Sequence, residues 1–348
     1  MNATDTANKM KKILINDPTL RDGNHAVKHQ LTARQIAAYA AAADAAGVPI
    51  VEVGHGNGLG ASSLQVGISL TDDHLMLKTA KENLKRAKLG IFVIPGFATI
   101  NKDLKPALEL GADVVRVACH CTEADTTQRH ISFAREHGKE VYGVLMMSHM
   151  ASTETLIDEC RKMESYGAEG VILMDSAGAS LPADVSEKIS ALVENINIPV
   201  GFHAHNNLGL AVINSITAAQ SGAAILDGTA RGFGAGAGNT QLEALVAVLH
   251  KIGFDTGIDL YKMLDAADLA EKSILPMIPT IKSISIVSGL AGVFSGFARH
   301  VERAAAEYKV DPRDIFFELG RRRAVAGQED MIVEIAEMLA KKKREGKK

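Results

Sequence analysis

His203 and His205 stand two residues apart in the run VGFHAH. Along a strand successive side chains alternate faces, so both imidazoles point to one side and can share one cation. A single histidine in such a strand is ordinarily a satisfied core residue, and even the pair needs a third ligand to count as a metal site. Two imidazoles and one carboxylate leave open positions on a dication for substrate oxygens, which suits polarisation of a carbonyl. Asp22, in the run Arg21-Asp22-Gly23-Asn24-His25, is the candidate carboxylate. Asp17 is its rival, although a residue beside Pro18 fits a turn-forming role about as well. Arg21 offers a fixed positive charge beside an oxyanion and a fork for an α-keto carboxylate; the plainer alternative is an ion pair with Asp22. His25 carries a group whose ordinary pKa suits proton transfer near neutrality.

These residues need a scaffold that brings distant loops to one place. Short apolar, β-branched runs recur at 13–16, 50–54, 90–94, 114–118, 141–147, 171–174, 200–203 and 225–228, eight candidate strands in all. Helical spacing fills many of the intervals, at 32–46, 73–87, 154–166, 182–194 and 211–221. Small-residue stops such as Ala46-Gly47 and Ser221-Gly222-Ala223 close several helices before the next strand. Eight such units point to a closed (β/α)8 TIM barrel rather than an open doubly wound sheet. The open sheet would want a phosphate-cradling glycine motif after the first strand, and DPTLRDG stands there instead. In a barrel the chemistry lies at the C-terminal ends of the strands, where the loops after strands one and seven approach across the rim. His149, Asp175 and Ser176 follow strands five and six and also face the predicted mouth, as hydrogen-bonding liners. The small-residue loop 232–239, GFGAGAGN, lets backbone approach a ligand closely. After about residue 255 helical periodicity dominates, at 260–271, 291–308, 312–323 and 330–341. The expected division is a catalytic barrel over 1–255 and a helical domain over 256–348, the latter making dimer or partner contacts.

Bulk composition removes other classes. The chain has 348 residues, 47% hydrophobic and 23% charged, with net charge −3, as in an ordinary globular protein. With 4% aromatic residues and no Trp, it lacks the basic stripe and stacking platforms of a nucleic-acid binder. The basic tail 341–348 reads as a solvated end. Cys119, Cys121 and Cys160 are odd in number and form no CxxC, so neither a disulfide framework nor a zinc ribbon is expected. The opening MNATDTANKMKK has no apolar signal core, and no stretch reaches the roughly 18 apolar residues of a membrane span. A reducing, cytoplasmic setting is the expectation.

The motifs TLRDGNHAVKHQ, HGNGLGASS, VRVACHCTEAD, LMMSHM, DSAGA, HAHNNLGL, GFGAGAGN and ELGRRRAVAGQEDM together resemble the pyruvate-dependent 4-hydroxy-2-oxovalerate aldolases. These belong to the metallolyase superfamily of hydroxymethylglutaryl-CoA lyase, and the resemblance covers nearly the whole chain. It implies that Asp22, His203 and His205 hold the cation, usually Mn2+ with Mg2+ or Co2+ as alternatives, that Arg21 stabilises the pyruvate enolate, that His25 is the base and that Ser176 seats the pyruvate carboxylate. It further implies an acylating acetaldehyde dehydrogenase partner bound through the helical domain, in a homodimer or heterotetramer. Two departures stand out. Where the family reads GYAGVYSSF this chain reads GLAGVFSGF, so Leu290 is expected to replace a substrate-binding tyrosine. Where the family has a pattern close to Phe-Asn-Tyr, Leu64-Gln65-Val66 puts Val66 at a tyrosine on the aldehyde's route. Altered aldehyde selectivity is expected. Two other readings share these elements. An acyl-CoA-dependent Claisen synthase has the same RDG and HxH residues, but the helical segment matches the aldolases. A non-catalytic dehydrogenase partner would not need Arg21, Asp22, His25, His203 and His205 together.

Overall fold

The computed structural model describes residues 10–274, 277–325 and 327–345; the first nine residues and the last three of the basic tail lie outside them. Eight parallel strands close into a barrel in chain order: β1 (Leu14–Leu20), β2 (Ile50–Val53), β3 (Lys88–Val93), β4 (Val114–His120), β5 (Glu140–Met146), β6 (Gly170–Asp175), β7 (Val200–Ala204) and β8 (Ile225–Asp227). Closure is made by β1 against β8, with Leu14 opposite Ile225 and Asn16 opposite Asp227. Outside them lie α1 (Ala33–Ala46), α2 (Asp73–Asn83), α3 (Lys105–Glu109), α4 (Gln128–Glu136), α5 (Thr153–Ser165), α6 (Pro182–Asn195), α7 (Ala211–Gln220) and α8 (Leu242–Lys251). The (β/α)8 expectation therefore holds. β1 runs past its expected end at 16 because its register against β2 shifts between Asp17 and Leu20. Pro18, which cannot donate to a ladder, sits in that irregular stretch.

The period-2 alternation sorts every strand into two faces. Leu14, Ile50, Phe92, Val114, Ala118, Val144, Ile172 and Ile225 pack together inside the barrel. Their neighbours, including Ile15, Val51, Val115 and Leu226, join the layer between strands and helices. The same arithmetic puts Asn16, Glu52, Arg116 and Asp227, all buried, on the inner face, two residues from Leu14, Ile50, Val114 and Ile225. The barrel interior is thus apolar at the bottom and charged in the middle.

Five more helices follow: α9 (Leu260–Ser273), α10 (Ser283–Ala291), α11 (Ala298–Tyr308), α12 (Pro312–Arg321) and α13 (Asp330–Glu345). Met263, Ala266, Ala267 and Ala270 of α9 join the core shared with the barrel, and the Asp259 amide donates to the Ala46 carbonyl at the end of α1 (2.9 Å). The remaining helices bury a separate core of Val293, Phe297, Val301, Ile315, Phe316, Leu319 and Ile335. The helix expected over 291–308 is broken, because Gly292 takes a left-handed φ of 63° and ends α10. No described helix is long and apolar enough to cross a membrane.

Candidate active site

β1 and β7 end side by side at the barrel mouth, separated only by β8. Asp22 Oδ2 lies 3.8 Å from His203 Nε2 and 3.9 Å from His205 Nε2. One donor atom from each of the three falls within 4.8 Å of the others, and all three residues are buried. Neither Nε2 has a hydrogen-bond partner among the described residues. Two buried imidazole lone pairs aimed at a carboxylate, with nothing between them, fit a divalent cation, since unpaired buried polar atoms are costly otherwise. Each ring is oriented from behind. His203 Nδ1 lies 2.7 Å from Asp227 Oδ2, and His205 Nδ1 faces the Ser176 carbonyl at 3.5 Å, an arrangement that leaves Nε2 free to ligate. The loop 232–239 contributes the Ala235 amide, which donates to Asp22 Oδ1 (3.2 Å) and leaves Oδ2 toward the histidines.

Beneath the trio runs a buried chain of charge. Arg21 Nε donates to Glu52 Oε1 (2.6 Å) and Arg116 Nη1 to Glu52 Oε2 (3.0 Å). Arg116 Nη2 lies 2.7 Å from Asp227 Oδ2, the atom that also holds His203. Burial alone would raise the Asp227 and Asp22 carboxyls; Arg116 and the His203 bond outweigh it at Asp227, and Arg21, His203, His25 and His205 outweigh it at Asp22, so both are held below the usual carboxylate range. Deleting one member of such a network leaves an uncompensated buried charge, a loss of about 3–5 kcal/mol.

Arg21 is fixed on every side but one. Its Nη1 donates to Asp22 Oδ2 (2.8 Å) and to the Gly56 carbonyl (3.0 Å), and its guanidinium stacks 4.2 Å over the Phe92 ring. Nη2 is buried with no partner among the described residues, a donor available to an anion in the cavity. His25 also lines that cavity, which has a volume of about 650 Å³. Burial lowers the His25 pKa, Asp22 only partly offsetting it, so the ring is neutral at pH 7 and able to accept a proton. Ser176 accepts the Met147 amide (3.0 Å), made possible by a left-handed Met147 (φ 55°), and its own hydroxyl hydrogen remains for a ligand.

Arg21, Asp22, His25, Ser176 and His205 therefore line one cavity, with His203 beside them. Asp17, the rival carboxylate, points the other way: it is buried against α1, accepting from Thr19 and from the Tyr39 hydroxyl (2.6 Å). Leu290, expected at the substrate, does not line the cavity either. The inner face of α10 is Ser285, Ser288 and Gly289, so position 290, a further 100° round the helix, is 63% exposed. The second aromatic of that stretch, Phe294, lines the cavity instead, as does Val66. His149 and Asp175 do not line it: His149 Nε2 donates to the Gly292 carbonyl (2.9 Å) and Asp175 accepts the Ala179 and Ser180 amides. The residues the sequence reading missed are Glu52, Arg116 and Asp227. Their signal was present, as charged residues at inward positions of otherwise apolar strands.

Residues 12–270 match the HMGL-like family and residues 279–341 the DmpG-like communication domain. A "4-hydroxy-2-oxovalerate aldolase" of Pectobacterium atrosepticum is 64% identical over 332 residues, covering 95% of this chain and 97% of that one. One of the same name from Spirochaeta aurantia is 64% identical, covering 93% and 95%. Among solved structures, the carboxyl transferase domain of Rhizobium etli pyruvate carboxylase superposes with a TM-score of 0.80 at 16% identity, over 96% of this chain and 61% of that one, a likeness of fold alone. The HMGL-like aldolases imply a divalent metal, which the Asp22–His203–His205 trio suits. On this evidence the chain belongs to the HMGL-like family and, within it, to the 4-hydroxy-2-oxovalerate aldolases, carbon–carbon lyases of the class II pyruvate aldolase kind.

Proposed function

We propose that the chain cleaves a 4-hydroxy-2-oxo acid, such as 4-hydroxy-2-oxopentanoate, reversibly to pyruvate and a short aldehyde, with Asp22, His203 and His205 holding Mn2+. The observation that carries this reading is the set of unpartnered buried atoms, His203 Nε2, His205 Nε2 and Arg21 Nη2, gathered around Asp22. A divalent cation there supplies Lewis-acid polarisation of the 2-oxo group. His25, held neutral by burial, takes the C4 hydroxyl proton; the C3–C4 bond breaks, the aldehyde leaves and its electron pair remains as the pyruvate enolate. Arg21 sets a fixed guanidinium against that developing charge at no cost of reorganisation. The Ser176 hydroxyl donates to the carboxylate, and a proton returned to C3 completes pyruvate.

Selectivity for the aldehyde belongs to Phe294 and Val66, apolar side chains at two positions where the family pattern has tyrosine. Loss of two phenols removes hydrogen-bonding groups and leaves apolar space, which favours a different or bulkier aldehyde. The helical unit that matches the communication domain is the surface for an acylating acetaldehyde dehydrogenase, with the chain as a homodimer or within a heterotetramer. Three buried free cysteines agree with a cytoplasmic setting. The test is a cleavage assay across 4-hydroxy-2-oxo acids of increasing chain length, with and without chelator. Pyruvate release should vanish with chelator and return with Mn2+; turnover that survives metal removal overturns the reading.

A further inference from the structure

Two histidines outside the proposed reaction are packed against its base. His29 and His55 are stacked face to face, ring centroids 3.7 Å apart and 14° from parallel, and both are buried. The His25 ring meets His29 edge-on at 4.9 Å. His55 bonds one end of the segment 56–67 to the other, and His29 holds its start. His29 Nδ1 accepts the Gly56 amide (3.4 Å). His55 Nδ1 accepts the Asn57 amide (3.0 Å), and its Nε2 donates to the Gly67 carbonyl (3.0 Å). At His55 one nitrogen accepts and the other donates, the pattern of a neutral imidazole, consistent with the burial that pushes it down to about 4.

The backbone is shaped to put these rings there. Lys28 and His29 both take left-handed conformations, φ 58° and 61°, at roughly 1–2 kcal/mol each for residues with a Cβ. Two glycines clear the space. A Cβ on Gly56 would fall 2.5 Å from His25 Nε2, and one on Gly67 2.5 Å from His29 Cδ2. The Gly56 carbonyl that results accepts from Arg21 Nη1 (3.0 Å), and the Gly56 backbone lies against the edge of the His25 ring. The segment that His29 and His55 hold in place thus carries at its start the Gly56 backbone that abuts His25, and at its far end Val66, which lines the cavity.

We propose that His29 and His55 are positioning residues that hold the Gly56 backbone and the His29 ring against His25 and so fix the orientation of the base. This rests on His25 being the base. Neither histidine touches Asp22, His203 or His205 in any hydrogen bond or ion pair of the described residues, so their removal should act on kcat and leave metal binding alone. A misplacement of about 1 Å in a reacting group costs on the order of 100-fold. The experiment uses the full Mn2+-loaded chain and the variants His29→Phe, His55→Phe and His25→Ala, with kcat and KM for 4-hydroxy-2-oxopentanoate and Mn2+ affinity by EPR titration. His29→Phe keeps an aromatic ring in the stack but loses the bond to the Gly56 amide. Its kcat should fall roughly 10- to 100-fold, with Mn2+ affinity within about twofold of the parent. Should His29→Phe fail to fold, His55→Phe, which severs the other two loop bonds, carries the same expectation. Unchanged kcat, or kcat and Mn2+ affinity falling together, overturns the positioning role. Wild-type cleavage by His25→Ala removes the base assignment and this inference with it, whereas a slow His25→Ala beside fully active His29 and His55 variants overturns this inference alone.

Discussion

Asp17 and Asp22 lie five residues apart on the same strand and its following loop, and both are buried, yet their chemistry is opposite. Asp22 faces the barrel mouth, where burial would raise its pKa but Arg21 and three histidines hold it below the ordinary range. Asp17 faces α1, where burial raises it to about 6 and the Thr19 and Tyr39 hydroxyls offset only part of the penalty. The same strand thus makes an anion on one side and, below pH 6, a neutral acid on the other. Burial sets no pKa direction alone; the charges facing the group do. The inward carboxylate is equipped for a cation, the outward one to lock β1 to α1.

The largest break in this comparison is Asp22→Asn. An amide of the same shape keeps the packing but removes the charge that the cation and Arg21 both face, and leaves Arg21 with Glu52 alone. Mn2+ binding by EPR titration should be lost or severely weakened, and kcat/KM for pyruvate release should drop on the order of 1000-fold. Retained Mn2+ affinity would remove Asp22 from the ligand set.

Asp17→Asn sharpens the other side. Because the folded pKa of Asp17 is raised, to about 6 from an ordinary 3.8, the stabilising contribution of its protonated form is complete below pH 3.8. That contribution fades as pH rises through 6, a loss of about 3 kcal/mol. The Asn variant cannot titrate, so urea unfolding should show its stability relative to the parent rising by about that amount between pH 4 and pH 7. Parallel stability curves would mean that Asp17 stays ionised in the folded chain. Activity should change little, since Asp17 does not line the cavity.

What the sequence allowed follows from periodicity. The HxH pair at 203 and 205 was legible because period-2 geometry needs no tertiary information, and the eight apolar runs forecast the barrel for the same reason. The choice between Asp17 and Asp22 was not, because both lie near the end of one strand and only their surroundings, Tyr39 of α1 for one and the two histidines for the other, tell them apart. Glu52, Arg116 and Asp227 were readable in principle from their inward positions, but each alone reads as an oddity; their sense appears only when Arg116 is seen to span two carboxylates. The His29–His55 stack was hidden further, since it depends on two consecutive left-handed residues that no pattern in Lys28-His29 announces.

Leu290 and Phe294 repeat the lesson at smaller scale. Four residues apart in one uninterrupted helix they would share a face. The left-handed Gly292 between them ends α10, so Leu290 stays 63% exposed while Phe294 turns into the cavity. Phe294→Tyr adds one hydroxyl inside the cavity, and a net hydrogen bond of about 1 kcal/mol corresponds to a change of roughly fivefold in the ratio of kcat/KM between a short and a longer aldehyde, or between the two C4 stereoisomers. Leu290→Tyr adds the same group to a solvent-facing turn and should leave both ratios within experimental scatter. A shift produced by Leu290→Tyr and not by Phe294→Tyr would show that α10 reaches the cavity in the working enzyme.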